Sequence, residues 1–260
     1  KSISDKAIRN YVLFSNEDFR INSLNKLSLS KFSGDINKTI SLNKSKKKDF
    51  ILFNLNPTQK IIIINLKNYK SPLENEKKGA EFFDFIKSNS IFVCTFVEEN
   101  FKINTDKNKN FLDEFIHGAQ LKSYNFKKYK TKKDSENYEF NISYRSKNFR
   151  YNKDKRYDSL IDGMTYTKDL VSEPGNVLHP DEYAKRLTSL RKFGLKVNIY
   201  DQKKLKKLGM NALLGVGMGS IRGSYLVTME WNGLSKKSKP LAFVGKGVCF
   251  DTGGISLKPA

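Results

Sequence analysis

The sequence is poor in the residues that cross-link small secreted proteins or bind zinc. Its 260 residues include only two cysteines, Cys94 and Cys249. That is too few for a disulfide framework and is typical of a protein in the reducing cytoplasm. The only histidines are His117 and His179, so a histidine-rich zinc site is excluded. Carboxylates and amines would have to hold any bound metal ion.

Long apolar segments are also absent. The longest strongly apolar run, Ile61–Ile64 with Leu66 beyond it, is far shorter than the ~20 residues of a membrane-spanning helix. The first residues, Lys1–Asp5, lack the apolar region of a signal peptide. We therefore expect no membrane partner. The hydrophobic share of 38%, with 19 phenylalanines and 12 tyrosines, is sufficient for a packed core.

Acidic residues are fewer than basic residues in this sequence. The 48 lysines and arginines against 27 aspartates and glutamates give a formal net charge of +21, which raises the question of nucleic acid as a partner. The excess is spread along both halves of the chain. Lysine-rich runs such as 44–48 and 203–207 are more typical of solvated faces. Nucleic acid is therefore kept as a possible secondary partner.

Residues 1–150 have the pattern of a mixed α/β domain. Segments rich in β-branched and aromatic residues alternate with a helical pattern that Pro72 opens and in which Ala80, Phe83 and Ile86 recur at three-residue steps. The turn residues Asn56 and Pro57 separate the first two strands. The predicted strands are 50–53, 60–66 and 91–97, and the predicted helices are 72–86 and 112–119.

Residues 151–260 repeat the alternation of helix and strand after a charged linker at 148–157. Pro180 is predicted to open a helix that Gly194 ends, and His179 is interpreted as a turn residue. The glycine-rich run 215–219 is predicted to be tightly packed backbone. This alternation predicts a sheet covered by helices, with helices at 160–171, 180–193 and 202–208 and strands at 195–200, 225–231 and 241–244.

The last stretch concentrates the chemically interesting residues. Leu241–Val244 is predicted to be a buried strand, and Lys246, Asp251 and Lys258 follow it among glycines that permit close backbone approach. A carboxylate is a hard ligand for divalent ions, and a desolvated lysine can offer a neutral amine. A second lysine that stays charged can stabilise a developing oxyanion. The simpler alternative is that both lysines are solvated and Asp251 caps a turn.

Five stretches, taken in order, resemble one known family. The run Val244-Gly-Lys-Gly-Val-Cys-Phe-Asp-Thr-Gly-Gly-Ile-Ser-Leu-Lys-Pro259 is similar to the first metal-site segment of leucyl aminopeptidases, the cytosol aminopeptidase family of two-metal exopeptidases. The chain departs from the common family pattern at Cys249 and His179, where threonine is usual. Ordered matches carry more weight than one short motif. The other four matching stretches are 117–130, 169–180, 208–220 and 230–233, whereas residues 1–110 match only vaguely.

The resemblance implies a fold, a reaction and three site residues. The α/β fold would comprise an N-terminal mixed α/β domain, 1–150, and the start of an α/β/α catalytic domain, 151–260. The reaction would be the release of N-terminal amino acids, leucine among them, from peptides with two divalent metal ions, Mn²⁺ or Zn²⁺. Lys246 would be a metal ligand through its amine and Asp251 a second ligand that touches both ions. Lys258 would be the catalytic lysine that polarises the scissile carbonyl.

The family's remaining ligands and its catalytic arginine would fall beyond Ala260. With no initiating methionine either, we expect the sequence to be an N-terminal fragment that is inactive by itself. The family also implies peptide substrates and a homo-hexamer. The alternative function is a basic nucleic-acid-binding protein with incidental or lost peptidase activity.

Overall fold

The computed structural model describes residues 10–21, 24, 30–44, 48–66, 71–97, 100, 110–131, 137–143, 153–234, 238–251 and 253. Its contacts divide the chain into two compact units, Lys1–Thr165 and Tyr166–Ala260, and each is described by itself below. The predicted α/β class is confirmed. In the described ranges, no helix is both long and apolar enough to cross a membrane.

The first unit is built on a five-stranded sheet in the order β2-β3-β1-β4-β5. Strand β1 is parallel to β3 and β4, β4 is parallel to β5, and β2 is antiparallel to β3. The strands are β1 (Asn10–Ser15), β2 (Phe50–Asn54), β3 (Lys60–Asn65), β4 (Val93–Val97) and β5 (Glu139–Ser143). The predicted strands correspond to β2, β3 and β4, whereas sequence analysis missed β1 and β5.

Helices cover both faces of this sheet. They are α1 (Ser33–Lys44), α2 (Pro72–Ser88) and α3 (Phe111–Ser123). Because successive side chains of a strand point to opposite faces, Val12 and Phe14 of β1 pack in the cluster formed with α2 and α3. Tyr11 and Leu13 pack in the second cluster, which includes Ile36 of α1. The sheet is therefore the middle layer of three.

Helix α2 begins as the sequence predicts. Ser71 is its N-cap and forms a capping box with Glu74, and Pro72 occupies the first turn. In a capping box the two side chains satisfy two backbone N–H groups that have no partner inside the helix. The start of α2 is thus determined by local sequence.

Helices α2 and α3 approach each other to backbone contact through two glycines. A Cβ atom on Gly79 would lie 1.8 Å from the Phe115 carbonyl oxygen, and one on Gly118 would lie 1.9 Å from the Glu76 carbonyl oxygen. Polar side chains also pair across this interface. Asn75 Nδ2 donates to Glu114 Oε2 at 2.6 Å, and His117 Nδ1 lies 3.0 Å from Glu76 Oε1.

The second unit contains a two-stranded antiparallel sheet and short helices. Gly194 and Gly209, with φ angles of 89° and 68°, follow two of the helical segments and take the left-handed conformation that favours glycine. The predicted helix 180–193 divides into an α-helix and a 3₁₀-helix. The elements are α4 (Lys155–Ser172, which begins in the first unit), α5 (Pro180–Leu187), the 3₁₀-helix Thr188–Phe193, β6 (Lys196–Tyr200), α6 (Gln202–Lys207), α7 (Asn211–Val216) and β7 (Leu226–Glu230).

The boundary predicted at residue 150 remains a prediction. Helix α4 begins at Lys155, so the last part of the proposed linker 148–157 is helical. Residues 148–152 lie outside the described residues.

The strand predicted at Leu241–Val244 is wrong. The structure gives this run no regular secondary structure, and Leu241, Phe243 and Val244 are 81%, 89% and 98% exposed. An apolar run forms a buried strand only where a neighbouring strand pairs with it and an apolar layer covers it. Within the described residues no strand pairs with this run.

The glycine-rich run 215–219 is packed as predicted at one glycine only, because a Cβ on Gly217 would lie 2.3 Å from Ser224 Oγ. Nothing lies within 4 Å of a Cβ placed on Gly215 or Gly219. The first two residues of the run end α7, and most of the run is exposed. Glycine permits unusual backbone angles and close packing, but the sequence alone does not show whether another residue packs against it.

We expect Gly118→Ala to destabilise the first unit, because the added methyl group forces α3 away from the α2 backbone. Overpacking of this kind costs roughly 1–3 kcal/mol, measured as a lower urea midpoint. Gly163→Ala in α4 is the matched control, since nothing lies within 4 Å of its Cβ position. It should be neutral or slightly stabilising. Equal midpoints for the two variants would contradict the close helix contact.

Candidate active-site segment

The start of α5 is a cluster of charged and polar groups. His179 is the N-cap, and its Nδ1 lies 3.4 Å from the Glu182 backbone N. The same nitrogen contacts the Asp181 carboxylate even more closely. Because one ring nitrogen cannot donate and accept at once, the closer contact indicates an Nδ1–H that donates to Asp181. The interpretation of His179 as a turn residue agrees with its place before the helix.

Asp181 is held in its ionised form. Partial burial opposes ionisation, but a backbone hydrogen bond, the contact with His179 and the charge of Arg222 together lower the pKa of the Asp181 carboxyl. Arg222 Nη1 lies 3.0 Å from Asp181 Oδ2. This ion pair connects the loop before β7 to the first turn of α5.

Arg186 connects α5 to the segment that follows α4. Its Nη1 donates to Glu173 Oε1 at 2.8 Å, and its Nε donates to Glu182 Oε1 at 3.0 Å. These hydrogen bonds, first the one to Glu173 and then the one to Glu182, raise the pKa of the Arg186 guanidinium. The Glu173 side chain is only 2% exposed. The pair therefore fixes α5 with a charge-assisted hydrogen bond to a buried carboxylate.

The stretch that carries the predicted ligands packs beside this cluster. A Cβ on Gly247 would lie 2.8 Å from a ring carbon of Tyr183, and one on Gly175 would lie 3.1 Å from Phe250 Cβ and 3.3 Å from the Cys249 carbonyl oxygen. A Cβ atom at either glycine would therefore crowd its neighbour. Two motifs that are far apart in the sequence, 169–180 and 244–259, meet here.

The predicted site residues have different outcomes. Lys246 and Asp251 are both exposed, and Asp251 Oδ1 accepts a hydrogen bond from the Gly253 N–H at 2.9 Å. This is the turn-capping arrangement of the simpler alternative. Lys258 lies outside the described residues. The ligand roles of Lys246 and Asp251 and the catalytic role of Lys258 therefore stay predictions.

The described residues do not form a complete metal site. They contain no group of three or more histidine, cysteine, aspartate or glutamate side chains that could hold an ion. Lys246 and Asp251 offer one amine and one carboxylate, whose chemistry suits a divalent ion. Two donors are fewer than the four or more that zinc or manganese requires.

Sequence reasoning missed the residues that support this segment. The ion pairs of Asp181, Glu173 and Arg222 were not predicted, although Gly175 lies inside a motif that was recognised. A conformationally free glycine next to Pro174 was the only local sign of a close contact. Its partner, Phe250, lies 75 residues further along the chain, so no local sequence pattern indicates this contact.

The architecture is that of leucine aminopeptidases. The structure is similar to a tomato leucine aminopeptidase mutant with a TM-score of 0.71 and 19% sequence identity, over 98% of this chain and 55% of that chain. It is also similar to the bottromycin maturation enzyme BotP in complex with Mn, with a TM-score of 0.62 and 13% identity, over 87% of this chain and 46% of that chain. At these identities the similarity establishes the fold alone.

Residues 165–260 match the cytosol aminopeptidase family, catalytic domain. A probable cytosol aminopeptidase of Bradyrhizobium sp. is 48% identical over 152 residues, 55% of this chain and 30% of the relative. One from Caulobacter vibrioides is 41% identical over 190 residues, 71% of this chain and 37% of the relative. The chain thus spans between a quarter and two fifths of these relatives' length. The resemblance to the cytosol aminopeptidase family is confirmed, and residues 165–260 match the model of its catalytic domain.

The position of Cys249 allows a test of how the segment packs. Burial, and then the negative charge of Asp181, raise the pKa of the Cys249 thiol. Asp181→Asn should lower that pKa and increase the alkylation rate at mildly alkaline pH roughly two- to threefold, because the thiolate is the reactive form. Burial raises the pKa of Cys94 to about 12, so Cys94 should stay unlabelled in the folded protein. Glu230→Gln is the control, and an equal increase in that variant would contradict the contact between the segment and α5.

Proposed function

We propose that the protein is a metal-dependent aminopeptidase that releases N-terminal amino acids, leucine among those preferred, from peptides by two-metal hydrolysis. The main support is the match of residues 165–260 to the catalytic domain of the cytosol aminopeptidase family. The packing of the 247–250 backbone against Gly175 and Tyr183 adds support, since it brings two motifs of that family together. The activity belongs to a protein that carries the whole catalytic domain.

Lys246 and Asp251 would supply two ligands for the divalent ions, Mn²⁺ or Zn²⁺. The similar BotP structure is a complex with Mn, which favours manganese as the first ion to test. Lys246 must lose its proton to offer a lone pair, so ion binding should strengthen as pH rises. Asp251 accepts the Gly253 hydrogen bond through Oδ1 alone, and a carboxylate has enough lone pairs to bind an ion as well. Both side chains are exposed and therefore accessible to further ligands.

Held by Lys246, Asp251 and further ligands, the ions would supply Lewis acidity toward a water molecule and the substrate carbonyl. Lys258 has a separate role in the proposal. Its ammonium group would remain charged and donate to the carbonyl oxygen as negative charge develops there. Lys258 must therefore stay protonated, whereas Lys246 can bind an ion only as a neutral amine.

Location and partners are part of the same proposal. The name of the relatives, cytosol aminopeptidase, supports a cytoplasmic protein, and peptides are the substrates that this name implies. A homo-hexamer is proposed from the family resemblance alone. Neither of the two relatives is named as a nucleic-acid-binding protein, so the alternative main function gains no support from them.

The 260-residue chain should bind neither Mn²⁺ nor Zn²⁺ tightly, because Lys246 and Asp251 are only part of a coordination shell. Isothermal titration calorimetry of the chain measures this directly. Asp251→Asn should leave any weak heat signal almost unchanged. Tight binding of two ions to the chain, lost in Asp251→Asn, would show that the described residues and their neighbours already form a complete site.

In a protein with the whole catalytic domain, Lys258→Ala should reduce kcat on leucine p-nitroanilide about 10²–10³-fold while the ions remain bound, because it removes one oxyanion donor. Lys246→Ala and Asp251→Asn should instead lower ion occupancy, measured by elemental analysis. Lys239→Ala, at an exposed position outside the motif, is the control. Near-normal turnover in Lys258→Ala would rule out the catalytic role, and absence of hydrolysis in the unaltered protein would rule out the proposed function.

A further inference from the structure

The Tyr183 ring packs against the backbone that follows Lys246. The three atoms nearest to a Cβ placed on Gly247 are all ring carbons of Tyr183, with Cε1 at 2.8 Å, Cδ1 at 3.5 Å and Cζ at 3.8 Å. A separation of 2.8 Å is too short for a side chain at position 247. The aromatic ring therefore limits where the backbone beside Lys246 can lie.

The chain before Lys246 does not restrain it in the same way. The preceding apolar run has no regular secondary structure, and Phe243 and Val244 are 89% and 98% exposed. Within the part of the chain that the structure describes, a Cβ on Gly245 would meet nothing within 4 Å. The backbone is thus restrained after Lys246 and not directly before it.

A second contact lies just before Asp251. A Cβ on Gly175 would lie 3.1 Å from Phe250 Cβ and 3.3 Å from the Cys249 carbonyl oxygen. This contact is looser than the one at position 247, and it involves the other end of the stretch between the two predicted ligands. Each predicted ligand is therefore adjacent to one point at which the backbone packs against another part of the unit.

Helix α5, which carries Tyr183, has supports of its own. Ala184 and Leu187 are only 3% and 9% exposed, and Arg186 donates to the buried carboxylate of Glu173 at 2.8 Å. These contacts do not involve the Tyr183 ring. The ring can therefore be shortened to alanine, a good helix former, while the supports of the helix remain in place.

We propose that Tyr183 is a positioning residue for the metal-binding amine of Lys246. Its ring holds the Gly247 backbone, and the orientation of that backbone determines where the Lys246 side chain can reach. Residues that orient a metal ligand reduce the conformational freedom that is lost when the ion binds. Tyr183 acts through Lys246 and supplies no ligand itself. The inference rests on the proposed function, because it requires Lys246 to bind an ion.

Nuclear magnetic resonance of the glycine-labelled chain tests the contact itself. The electrons of an aromatic ring displace the resonances of protons that pack against it, so the Gly247 α-protons should be shifted from their random-coil values. Tyr183→Ala should remove this shift. Tyr183→Phe should keep it, because the atoms nearest to Gly247 are ring carbons that phenylalanine retains. Unshifted α-protons in the unaltered chain, or a shift that persists in Tyr183→Ala, would overturn the proposal.

Calorimetric titration with Mn²⁺ tests the positioning role in a protein that carries the whole catalytic domain. Tyr183→Ala should weaken ion affinity roughly tenfold or more, as is usual for residues that orient metal ligands, and Tyr183→Phe should stay within about threefold of the unaltered protein. Tyr200→Ala, which removes another half-buried ring of the same unit, is the matched control. An equal loss of affinity in Tyr200→Ala would overturn the proposal, as would a Tyr183→Ala variant with a lower urea midpoint but unchanged ion affinity.

The same titration separates this inference from the proposed function. If the unaltered protein binds no Mn²⁺, the proposed function fails and the positioning role fails with it. If the unaltered protein binds Mn²⁺ and Tyr183→Ala binds it equally well, only the positioning role is overturned. Should Tyr183→Ala not fold, Gly247→Ala tests the contact from the other side, because its methyl group would lie 2.8 Å from the ring. It should also weaken ion affinity, and unchanged affinity would contradict the proposal.

Discussion

Close backbone approach at glycine is the constraint on which the first unit depends. Helices α2 and α3 cover one face of the sheet together, and they fit there because Gly79 and Gly118 have no Cβ atoms. The distances of 1.8 and 1.9 Å are too short for any side chain. The Asn75–Glu114 and His117–Glu76 contacts then satisfy Asn75 Nδ2 and His117 Nδ1, which this proximity removes from water, whereas Asn75 Oδ1 and His117 Nε2 have no hydrogen-bond partner among the described residues.

The second unit uses the same device for a different purpose. Gly175 and Gly247 admit Phe250 and Tyr183, and the 247–250 backbone consequently lies beside α5. Helix α5 is itself fixed by the hydrogen bond between Arg186 and the buried carboxylate of Glu173. The stretch between Lys246 and Asp251 is thus positioned by contacts of its neighbours, while the two predicted ligands remain exposed.

Strand β6 illustrates how basic side chains can protect the edge of a strand. An unpaired strand edge is a template for unwanted pairing, and charged side chains protect such edges. Arg191 and Lys204 donate hydrogen bonds to the carbonyl oxygens of Val197 and Ile199. These two carbonyls of β6 are therefore not available to pair with another strand.

The helix boundaries were predictable because local chemistry determines them. Pro72 and Pro180 lie in the first turns of α2 and α5, and Gly194 ends the 3₁₀-helix with a positive φ. Strand β1 was missed. It is the central strand, buried on both faces, and so lacks the alternation by which a half-buried strand is recognised.

Periodicity, capping residues and linear motifs were enough to predict the α/β class, the order of most elements and the resemblance to the cytosol aminopeptidase family. They were not enough to predict which apolar runs are buried: Ile61–Ile64 lies in a sheet between two layers of helices, whereas Leu241–Val244 remains exposed. The contact of Gly175 with Phe250, and the meeting of Arg191 and Lys204 at β6, likewise became visible only in the folded chain. Burial and contact depend on what other parts of the chain supply at a position, and no local pattern contains that information.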